Sequence, residues 1–206
     1  MAGRARIGTL TVLVVAAAAL AAPVPAAGPS GAGDPGRLPQ TTVLPSSSTA
    51  RFRARMAALW RGIVEDSPRA AQSVFFPESA YEQVKQIPNA AADYRNRLLA
   101  NYGADIHAAH VLLGRGASGA RLVAVLVPRQ WAWITPGYCY NRVGYWHAPG
   151  SRLVYRRRGR ILSFGIFSLI SWRGEWYVVH LSVWNQPGTV DNPSIGVGLF
   201  GPPGGC

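Results

Sequence analysis

The chain has 206 residues and a formal charge of +12, from 21 basic against 9 acidic side chains; Lys85 is the only lysine, so the basic character is arginine. About 135 residues lie between two segments rich in Gly, Pro and small side chains, which is enough for one domain with one core and excludes a multidomain arrangement. A charge balance of this sign draws a protein to anionic surfaces such as phospholipid headgroups or acidic wall polymers.

Residues 1–26 read as a secretory signal. Arg4 and Arg6 form the positive start, residues 7–22 an unbroken run of apolar or small side chains, and Pro23 and Pro25 end it. Cleavage is expected after Ala26, with Val24 three positions back, or else after Ala21 or Ala27. The alternative is an uncleaved anchor, but the apolar run falls short of the roughly 20 residues a spanning helix needs. Export makes nucleic acid a poor partner. It also places Cys139 and Cys206, the only cysteines, where a disulfide persists. A bridge between them would tether the tail and stabilise the fold by roughly 4 kcal/mol; a free thiol or an intermolecular bridge are the alternatives.

Residues 27–49 carry no periodic apolar pattern and read as a flexible linker. The domain is expected over 50–184, followed by a Gly/Pro-rich tail over 185–206. Residues 46–49 offer N-caps for a helix beginning near Ala50. Phe52, Met56, Leu59, Trp60, Ile63 and Val64 recur at steps of three and four, with Arg51, Arg53, Arg55 and Arg61 opposite. Asp66-Ser67-Pro68 ends this helix and starts another, in which Ala71, Val74 and Phe75 face inward until Pro77 interrupts. A short helix is expected over 78–86. Asn89 then caps a longer one with an inward line of Tyr94, Leu98, Tyr102, Ile106 and Leu113, broken near Gly103.

Beyond the glycine-rich turn at 114–119 the pattern becomes extended. Strands are expected over 122–127, 130–135 and 143–148. From Gly150 three more follow with tight turns between them, over 152–157, 161–172 and 176–184. Short turns force antiparallel neighbours, so this is a meander. In the last strand Tyr177, Val179, Leu181 and Val183 form an aliphatic face, while Trp176, Val178, His180 and Trp184 form a mixed one. Such a strand separates a core from something wetter, and the mixed face is a candidate ligand-pocket wall with His180 as its polar group.

Other motifs carry less chemistry. His107 and His110 share a helix face beside Asp105, but the zinc-protease signature uses a four-residue step with an intervening glutamate, and no third ligand is identifiable. No metal or other cofactor is expected. Gly114-Arg115-Gly116-Ala117-Ser118-Gly119 satisfies G-x-G-x-x-G, but a helix precedes it and a strand follows, the reverse of a dinucleotide site. Arg156, Arg157, Arg158 and Arg160 crowd one hairpin tip, where guanidinium forks suit phosphate or carboxylate; a solvated, solubilising tip is the plainer alternative. There is no G-x-S-x-G nucleophile elbow.

Helices first, then a long meander closing on Trp172-Arg173-Gly174-Glu175-Trp176-Tyr177-Val178-Val179, resembles the nuclear transport factor 2-like superfamily, which includes the SnoaL-type proteins. The resemblance covers residues 50–184. More narrowly, the segment 139–150, the final hairpin and the cysteine-ended tail resemble a group of exported proteins from GC-rich Gram-positive bacteria, to which no activity attaches. The resemblance implies an α+β fold in which N-terminal helices pack on a curved antiparallel sheet to make a cone with an open pocket. Catalytic members place an aspartate with a tyrosine or histidine inside the cone. No motif here matches such a set residue by residue, and Asp105, His180 and Tyr155 are the side chains that would fill those roles.

Two functional readings follow. One is a non-catalytic exported domain that binds a small apolar ligand or the anionic cell envelope. The other is a SnoaL-type small-molecule enzyme using acid–base chemistry at a pocket histidine. The scaffold alone does not choose between them.

Overall fold

In the computed structural model, which describes residues 33–182, Thr49 accepts the Phe52 amide on its side-chain oxygen at 3.0 Å and starts helix α1 (Ala50–Glu65). The α1 stripe of Phe52, Met56, Leu59, Trp60 and Ile63 is buried, and Asp66 ends the helix in a left-handed conformation. The expected signal segment and tail, including Trp184 and Cys206, lie outside the described residues, so the Cys139–Cys206 bridge falls partly outside them too.

The helix expected to start at Pro68 is absent, and no α-helix forms over residues 68–77. The chain turns through residues 67–71 and makes one 3-10 turn, Gln72–Val74. Its backbone is committed sideways instead. The Tyr102 hydroxyl donates to the Ala71 carbonyl at 3.0 Å, Tyr94 donates to the Phe76 carbonyl at 2.7 Å, and the Phe76 amide donates to the Val178 carbonyl at 3.2 Å. The tyrosines tie the segment to the helices, and the Phe76 amide with the Phe75–Val178 bridge ties it to the edge of the last described strand.

Helix α2 spans Glu78–Val84. Asn89 then caps α3 (Ala90–Asp93), which passes through a π-helical turn, Tyr94–Leu99, into α4 (Ala100–Leu113). The break expected at Gly103 is absent. The irregularity sits one turn earlier, at the π turn, which carries the buried Tyr94 and Leu98.

The strands are β1 (Arg121–Leu126), β2 (Ala132–Ile134), β3 (Tyr145–Arg157), β4 (Arg160–Trp172) and β5 (Glu175–Ser182). They form one antiparallel sheet in the order β1-β3-β4-β5, with β2 also on β3. The fold is α+β, with helices packed on a curved antiparallel sheet. Strand β3 merges two stretches expected to be separate. Pro149-Gly150 does not end it but kinks it, because Gly150 takes a φ of +70° that a side chain would oppose. At the same level Phe167 of β4 and Val179 of β5 are extra residues in the ladder, as the pairing passes from Ile166↔Leu181 to Ser168↔His180 to Leu169↔Val178. These bulges and the kink lie on one line across the sheet and bend it. Both faces of β5 are covered: Trp176, Tyr177 and Val178, successive residues, are all buried, as is Leu181.

The stretch expected to be a linker is tied to the sheet over residues 35–42. Trp172 Nε1 donates to the Pro35 carbonyl at 3.0 Å and Trp146 Nε1 to the Thr42 carbonyl at 2.9 Å. Gln40 donates to the Ser171 carbonyl at 2.9 Å and accepts from the Arg173 amide at 2.7 Å. It binds through carbonyls and one amide side chain rather than an apolar stripe, so hydrophobic periodicity carries no trace of it.

Two helix glycines differ in what surrounds them. A Cβ at Gly62 would meet the Ala71 Cβ at 2.6 Å and the Ser67 carbonyl at 2.9 Å, whereas one at Gly103 would meet only Pro68 Cγ at 3.7 Å. Gly62→Ala should therefore lose about 1–3 kcal/mol through overpacking despite its better helix propensity. Gly103→Ala should gain up to about 1 kcal/mol. Urea denaturation of the two variants checks both signs.

Candidate functional site

The β3–β4 hairpin turns on Arg158 and Gly159, with φ of 48° and 76°, the left-handed pair that a two-residue turn of this twist requires. The register then sets arginine opposite arginine. Arg157 pairs with Arg160, and one step further Arg156 of β3 pairs with Arg121 of β1. The glycine-rich turn Gly114–Gly119 lies against this end. A Cβ at Gly116 would stand 2.9 Å from Arg157 Nε and 3.6 Å from Arg158 Nε, so the turn packs directly on the guanidinium groups. Arg115, exposed on the same turn, adds a further charge. Arg157 is half-buried; its Nη1 donates to the Leu112 carbonyl near the C-terminus of α4 at 3.3 Å, and its Nε has no hydrogen-bond partner.

Among the described residues, none of Arg115, Arg121, Arg156, Arg157, Arg158 and Arg160 has a carboxylate within ion-pair distance. Arg97 pairs with Asp93 at 2.6 Å, Arg51 with Glu175 at 3.4 Å, and Arg95 with Glu78, whereas Arg53, Arg61 and Arg173 have no carboxylate partner among the described residues; what sets the hairpin tip apart is the crowding of its guanidinium groups. The four tip arginines singled out in the sequence are thus joined by two more. Arg121 and Arg115 could not be added from the sequence, because only the β1–β3 register and the fold of the glycine turn bring them there.

A second cluster forms where the sheet bends. Helix α4 carries Asp105, fully buried, to β5, where its Oδ2 accepts the Leu181 amide at 2.9 Å. His180, 7% exposed, places Nδ1 3.7 Å from the same oxygen, within ion-pair reach but beyond a hydrogen bond. Asp105 Oδ1 and His180 Nδ1 both lack hydrogen-bond partners. Burial raises the Asp105 pKa above the ordinary carboxylate range, and the His180 imidazole and the Leu181 amide pull against that rise.

Of the three side chains considered for catalysis, Asp105 and His180 meet, whereas Tyr155 belongs to an aromatic stack. Its ring lies 5.1 Å from Trp60 and 4.8 Å from Phe164, and burial pushes its hydroxyl up to about 12. Trp176 and Val178, expected beside His180 on a pocket wall, are packed in the hydrophobic core. His107 and His110 grip the end of α1, through Asp66 Oδ2 at 2.9 Å and the Ile63 carbonyl at 3.0 Å. No cluster of metal-ligating side chains occurs among the described residues, and no helix there is long and apolar enough to cross a membrane.

No family model, curated protein or solved structure matches this chain.

A carboxyl group whose pKa is raised on folding binds its proton more tightly in the native state, so its contribution is full below the unfolded pKa and is lost as pH rises through the folded value. Asp105→Asn removes that loss. The stability of the variant relative to the parent should therefore shift in the variant's favour between pH 4 and pH 8, as read by urea denaturation at both; an unchanged difference would mean that Asp105 does not titrate abnormally.

Proposed function

We propose that this chain is a non-catalytic binding domain of nuclear transport factor 2-like fold, exported from the cell, whose arginine-rich end docks on the anionic cell envelope. The observation that carries the reading is the opposition of like charges across the sheet. Like charges directly opposite one another destabilise a ladder, and here two such pairs occupy successive positions, one on each face of the sheet, with no carboxylate among the described residues to offset them. Arginine forks arranged over a flat hairpin end suit several phosphate groups at once. The Cys139–Cys206 bridge belongs to the same proposal, as the tether that keeps the tail with the domain in an oxidising compartment.

Co-sedimentation with vesicles tests this directly. Binding to phosphatidylglycerol vesicles should exceed binding to phosphatidylcholine vesicles and fall as salt rises. Basic residues near an anionic membrane contribute about 1 kcal/mol each, so the triple change Arg156→Gln, Arg158→Gln and Arg160→Gln should weaken binding by about a hundredfold. Equal binding to both vesicle types would overturn the reading. Soluble inorganic polyphosphate as a competitor separates lipid headgroups from other phosphate polymers.

The proximity of Asp105 to His180 favours a second reading, acid–base chemistry at a buried pair. The first reading makes Asp105 a structural acceptor for the Leu181 amide, with His180 packed beside it. Diethylpyrocarbonate labelling of the native protein separates the two. His107, whose side chain is 65% exposed, should react at least about tenfold faster than His180; comparable rates would open His180 to a substrate and favour the enzyme.

A further inference from the structure

A cleft of about 420 Å³ opens between α1, the 3-10 turn Gln72–Val74 and β5, away from both clusters described above. Its accessible apolar lining comes from Pro35, Pro77 and Leu99, behind which Phe75, Tyr94 and Tyr177 are packed almost wholly buried, and Gln72 and Ser73 stand exposed on its rim. The charge in it comes from α1. Arg55 lays its guanidinium over the Tyr177 ring, with Cζ 4.0 Å from the ring centre. A guanidinium carries five N–H donors; among the described residues Arg55 donates one long bond, from Nη2 to the Val74 carbonyl at 3.4 Å, interacts with the Tyr177 side chain, and keeps its Nε buried without a partner.

The neighbouring charges leave Arg55 in excess. Arg51, one turn earlier, takes Glu175 at 3.4 Å, so two guanidinium groups share one carboxylate. The other carboxylates lining the cleft are already engaged. Glu78 pairs with Arg95, and Asp34 accepts the Gly36 amide at 2.9 Å and faces Arg37 at 3.7 Å. Burial lowers the Arg55 pKa, with Tyr177 and Glu175 opposing that shift, so the cation is held where water serves it poorly. An anion entering here would gain a desolvated, pre-oriented fork stacked on an aromatic ring.

We propose that this cleft binds a small monocarboxylate with an apolar body, its carboxylate on Arg55 and its body against Pro35, Pro77 and Leu99. The single unmatched charge favours one carboxylate over a phosphate dianion, which Asp34 and Glu78 nearby would repel. The volume lies at the small end of ligand clefts and suits one or two rings. This site is independent of the arginine-rich end and goes beyond the envelope-docking reading.

Isothermal titration calorimetry of the full chain with 3-phenylpropanoate, against neutral 3-phenylpropanamide, tests it. The acid should bind at least about tenfold more tightly than the amide. Arg55→Met, which keeps an unbranched apolar stem over Tyr177, should abolish that preference. Ser73→Trp, an exposed position on the rim, should block both compounds. The triple arginine variant of the hairpin tip should bind the acid as the parent does, which separates this site from the docking surface. Equal binding of acid and amide, no binding of the acid up to about 10 mM, or loss of acid binding in the tip variant would each overturn the proposal. Should Arg55→Met fail to fold, the acid–amide comparison on the parent and the Ser73→Trp block decide it.

Discussion

Three strands change course at one level of the sheet: β3 kinks at Gly150, β4 carries the extra residue Phe167, and β5 carries Val179. Beside that bend Leu181 stays paired with Ile166 and donates its amide to the Asp105 carboxylate on α4. A buried carboxylate is costly unless hydrogen-bonded, so Asp105 and the bent strand depend on one another. If β5 ran straight, Asp105 would lose its donor, α4 would have no polar anchor on the sheet, and His180 would not stand at the seam. The packing of the helix layer follows from that contact. Tyr102, one turn before Asp105 on α4, carries the hydroxyl that holds the Ala71 carbonyl, and Tyr94 on the π turn holds that of Phe76.

The aromatic side chains do different work in different places. Phe76 meets both Trp172 and Tyr177 edge to face, at 5.9 Å and 5.8 Å, which locks the covering segment to the β4–β5 hairpin. The same hairpin receives the strap of residues 35–42 through Trp172 and Arg173. The sheet end that carries the turn at Arg173-Gly174 is therefore covered from two directions. At the opposite end, Arg158-Gly159 meets the turn Gly114–Gly119, and its arginines have no carboxylate partner among the described residues. This polarity, one end tied down and one end charged, is the physical basis for placing an interaction surface at the arginine tip.

Much of the architecture was legible along the chain. The α1 stripe, the helix-then-meander order, the two final hairpin turns and the α+β class follow from periodicity and turn chemistry, which act over a few residues. The expected helix after Pro68 was not there because the aromatic hydroxyls of Tyr94 and Tyr102 and the edge of β5, all remote in sequence, claimed its backbone. The strand split at Pro149-Gly150 was not there because a sheet paired on both sides of a kink tolerates one. Both faces of β5 are buried because remote segments cover the second one, Phe76 and Arg55 lying on Tyr177, and the bulge at Val179 has no local signature in Val178-Val179-His180.

The sequence by itself determined the basic character, the four arginines at one tip, the amphipathic helices and the order of the strands, because each rests on composition or on spacing within a few residues. The tertiary structure alone decided that Arg121 faces Arg156, that Asp105 meets His180 and Leu181, and that Arg55 lies over Tyr177 in a cleft. Each of those joins residues from different elements, and their meeting depends on register and bend. Those are collective properties of the packed sheet that no single segment encodes.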